Sequence, residues 1–191
     1  NSTLTAAALV AAIFLGPTGM TFTLKAPQQV LAYLLAVNLA CTLVAYFKRW
    51  DLLLIGSFVG SYVLYFSKFG VNQSVVTLVF LASTYLLYLL WGNVFHFWRR
   101  SAYDFNLWLS WINPMAFALC SYPTLLQLSN TLALGCYFVI SALHLTIFWL
   151  AVHRSRRNPA FEEVAQSNLT LGLLFQNLFC LVILFCLDDE S

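Results

Sequence analysis

Long apolar runs separated by short polar gaps set the pattern of this chain. A membrane-crossing helix needs about 20 mostly apolar residues. Seven segments approach that length. The first runs from Thr3 to Leu15 and breaks at Gly16-Pro17, so it crosses a bilayer only if a kinked helix continues to Leu24. The second covers Ala26 to Phe47, with Pro27 near its first turn, where the missing N–H does little harm. The others are Leu52–Phe69, Val75–Phe97, Phe105–Tyr122, Leu132–Val152 and Leu169–Leu187. The gaps are short, so successive helices are expected to be antiparallel neighbours. The longest polar stretch, Arg154 to Ser167, has room for one amphipathic turn around Phe161-Glu162-Glu163-Val164. The predicted fold is all-α. It is a polytopic transmembrane helix bundle of six or seven spans, forming one domain over residues 1–191.

Charge adds an orientation. Lys48 and Arg49 lie in one gap, Arg99 and Arg100 two gaps later, and Arg154, Arg156 and Arg157 two gaps after that. These gaps hold seven of the nine basic residues. Basic loops are retained on the cytoplasmic side. Seven spans then place the N-terminus in the cytoplasm and the acidic C-terminus (Asp188, Asp189, Glu190) outside, in a membrane expected to be a bacterial inner membrane. Trp50, Trp91, Phe97, Trp98, Trp108 and Trp149 cluster towards the cytoplasmic ends, where amphipathic rings favour the interface.

Composition agrees with lipid as the main partner. Hydrophobic residues are 61% of the chain and charged residues 8%, against about 25% charged in an ordinary soluble domain. The net charge of +2 says nothing about nucleic acid, but no basic patch with interleaved aromatics exists beyond the loop clusters, so no nucleic-acid partner is expected. The five cysteines are scattered through apolar runs, without metal-ligand spacing, and read as small buried hydrophobes. The chain opens at Asn1, nearly inside a hydrophobic run, as expected of a processed protein or a piece of a longer one.

Depth in the bilayer picks out the candidate chemistry. Asn38, Asn113, His144, Gln176 and Asn177 all lie near the middle of their segments, as do Ser83 and Thr84. Unpaired polar groups at that depth are costly, so these side chains are expected to face the bundle interior. They form either a midplane ligand site, with His144 as its titratable member, or ordinary interhelical hydrogen bonds. Pro114 also frees a backbone carbonyl about one turn earlier, near Ser110.

No Asp, Glu, Lys or Arg lies well inside a segment, which disfavours ion-coupled transport through a buried charge. Ser141 stands three residues before His144 without any oxyanion feature, and no HExxH occurs, so no catalytic or metal residues are assigned. Haem ligation wants two histidines at matched depth. Only His144 is central, since His96 and His153 border basic loops. Gly56 and Gly60 form a GxxxG spacing on the third segment, which suits close helix packing or self-association.

One resemblance extends over the larger part of the chain. Gln29-Val30-Leu31-Ala32-Tyr33-Leu34-Leu35-Ala36-Val37-Asn38 precedes Lys48-Arg49-Trp50 and Leu52-Leu53-Leu54. Tyr103-Asp104-Phe105-Asn106 and Leu171-Gly172-Leu173-Leu174-Phe175 continue the pattern. This resembles a bacterial family of large multi-pass predicted membrane proteins of unknown function. The resemblance implies a many-helix membrane fold and carries no functional residues. The chain is shorter than that family's usual members, as a fragment would be. The expected function is a non-enzymatic integral membrane subunit, structural or assembling with protein partners, and without a cofactor. A transporter or channel with a neutral polar site is the alternative, followed by a pigment- or haem-binding subunit.

Overall fold

A computed structural model describes residues 27–48, 51–69, 75–94, 104–159 and 161–188. The described residues form six α-helices and no strand. They are α1 (Pro27–Lys48), α2 (Asp51–Phe69), α3 (Val75–Leu89), α4 (Asp104–Leu128), α5 (Asn130–Ser155) and α6 (Phe161–Asp188). A π turn, Leu90–Val94, continues α3. The first predicted segment lies outside the described residues, as do Trp50, His96 and the Arg99-Arg100 pair.

Three helical stretches are long and apolar enough to cross a membrane: Gln28–Ala45, Val75–Asn93 and Thr131–Ser155. In α2 the apolar stretch is shorter, Leu52–Val63. The 25 residues of α4 and the 28 of α6 are long enough for a bilayer, but polar side chains such as Asn113, Glu162 and Glu163 dilute them. Many large hydrophobic side chains are exposed, among them Leu119 at 77% and Val63 at 59%. A lipid environment accommodates such a surface, whereas water penalises it.

Two boundaries differ from the sequence reading. The fifth segment was expected to end at Tyr122, before Pro123, yet α4 continues to Leu128 with Pro114 and Pro123 inside it. Helices in membranes tolerate proline when neighbours satisfy the freed groups. The last helix was expected from Leu169 and instead begins at Phe161. Its added turns bury Phe161, Val164, Ala165 and Asn168, a 3.6-residue spacing that Leu171 and Phe175 continue.

The chain divides into two compact units, residues 1–84 and 85–191, with the division falling inside α3. In the first unit α1 packs on α2. Leu34, Leu53 and Leu54 are almost wholly buried there, and Tyr65 stacks on Phe80 with centroids 6.3 Å apart.

The second unit centres on the α5–α6 pair. Ser129 precedes α5 in extended backbone, and its hydroxyl accepts the Thr131 N–H at 3.2 Å, capping the helix. A tight turn then reverses the chain. The Asn158 N–H donates to the Arg154 carbonyl at 3.1 Å, and the Phe161 N–H donates to the Asn158 carbonyl at 3.1 Å. Ala151 of α5 meets Val164 and Ala165 of α6 beside Phe148 and Val152. Gly172 is a point of close approach. A Cβ there would lie 2.7 Å from Leu145 Cδ2 and 2.8 Å from Leu145 Cγ.

Candidate functional site

The second unit contains a directed chain of buried hydrogen bonds. Tyr85 from α3, Asn93 from the π turn, His144 from α5 and Asn168 from α6 make it up. Each is at most 3% exposed. His144 Nδ1 lies 2.8 Å from Asn168 Oδ1, and His144 Nε2 lies 3.3 Å from the Tyr85 hydroxyl. The Asn168 amide nitrogen donates to Asn93 Oδ1 at 2.7 Å and to the Val164 carbonyl at 2.8 Å. The Asn93 amide nitrogen donates to the Leu89 carbonyl at 3.3 Å.

Hydrogen-bond accounting fixes the direction. Main-chain carbonyls only accept, so Val164 and Leu89 orient both amides. Asn168 Oδ1 must then accept from His144 Nδ1–H. In the neutral imidazole Nε2 is left as an acceptor for the Tyr85 O–H. Both nitrogens of His144 and both amide hydrogens of Asn168 are therefore engaged. Aromatic rings enclose the chain. Phe175 stacks parallel to His144, centroids 6.3 Å apart and planes within 7°, while Phe117 packs 5.1 Å from Tyr85.

The π turn contributes to this arrangement. It adds a residue to one helical turn, a feature often found at functional sites. It carries Asn93, which reaches across to α6. It also carries the Gly92 carbonyl, which accepts the Ser110 hydroxyl at 3.4 Å. The Asn113 amide nitrogen donates to the Tyr85 carbonyl at 2.9 Å.

The residues picked out from the sequence separate here. His144 lies at the centre of the chain, and Asn113 is buried beside it against the Tyr85 backbone. Gln176 is half-buried and accepts from the Ser141 hydroxyl at 3.2 Å. The same hydroxyl donates more closely to the Gly172 carbonyl, at 2.9 Å. Asn177 is exposed and takes no part in the buried chain. Ser141 and His144 each bond elsewhere, so they form no nucleophile–base pair. Asn38 belongs to the first unit, where its Oδ1 accepts the Ser61 hydroxyl at 2.7 Å. Gly56 and Gly60 are partly exposed, while the adjoining Ser57 and Ser61 are buried. Trp108 and Trp149 are exposed, whereas Trp91 is buried. His153 is exposed and stacks on Trp149.

Tyr85, Asn93 and Asn168 were not anticipated. Asn168 lies just before the last predicted segment, in an Asn-Leu-Thr triplet that also fits the glycosylation acceptor pattern. Its burial and three hydrogen bonds exclude that use in the folded chain. The spacing of Phe161, Val164, Ala165, Asn168 and Leu171 is the signal that puts it on the buried face of a helix. Among the described residues, no group of three or more His, Cys, Asp or Glu side chains could hold a metal. The chain matches no protein-family model, no curated protein and no solved structure.

Proposed function

We propose that the chain is a non-enzymatic integral membrane protein that serves as a structural or assembly subunit. The observation that carries this reading is the pairing of buried polar groups with one another. His144, Asn168, Asn93 and Tyr85 satisfy each other across α3, α5 and α6. Such bonds lock helices in one register, each contributing about 0.6–2 kcal/mol. Haem ligation by His144 would require breaking its bond to Tyr85 or to Asn168, which weighs against the pigment reading.

The proposed topology is six or seven spans with basic loops in the cytoplasm and the acidic C-terminus outside, in a bacterial inner membrane. The three stretches apolar enough to cross support a membrane location. Partner contacts or self-association would run along α2, where Gly56 and Gly60 are partly exposed beside Val59 and Val63. Purification in mild detergent tests the reading. A protein companion should co-elute at fixed stoichiometry. A lone chain with a bound chromophore or metabolite would overturn it.

A further inference from the structure

Helix α6 has a second face that its pairing with α5 leaves open. Gln166, Thr170, Leu173, Asn177 and Cys180 are all exposed. Their spacing alternates four and three residues, the repeat that lines a helix edge built to pack along another helix. Leu174 and Leu181 flank the line and are exposed too. The Thr170 hydroxyl turns back to the Gln166 carbonyl at 2.9 Å. Among the described residues, the side-chain amides of Gln166 and Asn177 have no hydrogen-bond partner. Asn177 lies about 16 Å along the axis from the acidic end of α6 at Asp188. The hydrocarbon core is about 30 Å thick, so an α6 that crosses it holds this amide near the middle. Lipid tails offer an amide neither donor nor acceptor.

Whatever covers this face must therefore bring hydrogen bonds at that depth. An amide both donates and accepts, so Asn177 can bond the same residue of an identical helix. Two copies in one membrane share an orientation, and a twofold axis along the membrane normal sets equal residues against each other. In a parallel pair with this repeat, Asn177 meets Asn177 and Gln166 meets Gln166. From Gln166 to Cys180 the sequence has no charge, so no like-charge repulsion opposes the contact. Glu163 continues the line one turn earlier, where a charge needs water, so the dry contact starts at Gln166. We infer that α6 pairs with α6 of a second copy along this line, with an Asn177 pair near its centre. The inference rests on the membrane-spanning reading of α6 and gives the assembly a first partner, the chain itself.

Cys180 makes the pair testable in the full chain in phospholipid vesicles. Oxidation with copper phenanthroline should give a disulfide-linked dimer in wild type and none in Cys180→Ala. Moving the cysteine to the exposed edge of α4, as Leu119→Cys with Cys180→Ala, should give no dimer either. Diluting donor- and acceptor-labelled protein with lipid then measures the affinity by energy transfer. Asn177→Leu should weaken it roughly tenfold, and Asn177→Gln, which keeps donor and acceptor, should recover most of that loss. Neither change should alter unfolding of the monomer diluted into excess detergent, which separates lost pairing from lost folding. If alkaline carbonate strips the protein from the vesicles, the membrane reading falls and the pair with it. If the protein stays embedded but Cys180 gives no dimer, or Asn177→Leu pairs as tightly as wild type, the α6 pair alone is overturned.

Discussion

The two units solve the same problem in different ways. Both bury polar side chains among apolar helices. In the first, the Ser61 hydroxyl donates to Asn38 Oδ1 across two helices, and Thr42 folds back onto its own helix at the Asn38 carbonyl. Rings do much of the packing, with Phe58 against Tyr62 and Tyr65 against Phe80. In the second unit the polar groups run in series from Tyr85 through His144 and Asn168 to Asn93. A pair tolerates small shifts. A series does not, because moving one helix leaves several buried groups without partners at once. The series therefore holds the helices of the second unit in a narrowly specified register.

Removing Asn168 should separate the units most sharply. Asn168→Leu strips His144, Asn93 and Val164 of a partner together, and should cost about 2–4 kcal/mol, two or three buried hydrogen bonds at membrane values. Denaturant titration in micelles measures it, and a loss below about 1 kcal/mol would mean that the series is not cooperative.

Gly172→Ala comes next. Its Cβ would press on Leu145, costing about 1–2 kcal/mol by overpacking the α5–α6 contact. Leu145→Ala in the same chain should recover part of that loss. If it recovers nothing, the close approach is not what constrains position 172.

Ser61→Ala probes the first unit and should cost about 0.6–1.7 kcal/mol, the range for one interhelical bond. A loss as large as that of Asn168→Leu would erase the contrast between the units. Asn177→Leu gives the baseline. The side chain is exposed, so the change should stay within about 0.5 kcal/mol, and the midpoint of the unfolding curve should barely move.

Much of the fold was readable in advance. The segments that became α1, α2 and α5 were placed to within a few residues, because polar gaps mark where apolar helices stop. The start of α6 was misplaced for a related reason. Glu162, Glu163, Gln166 and Asn168 read together as a polar gap, but only Asn168 of the four points inwards. The site was legible at His144 and Asn113, where a polar residue stood alone at mid-depth. It was illegible at Tyr85, which resembles any other core aromatic, and at Asn93, which lay near a segment end.

The amino-acid order alone determined that this is a chain of apolar helices with cations collected in alternate gaps. Water and lipid sort residues by transfer energy, and that sorting needs no knowledge of neighbours. Which polar side chains meet was decided only in three dimensions. In a membrane helix the lipid-facing and core-facing sides are both apolar, so periodicity alone does not say which polar side chains of neighbouring helices meet. The choice of Asn168 over Asn177 as the partner of His144 was made by the close approach at Gly172 and the register it imposes on α5 and α6.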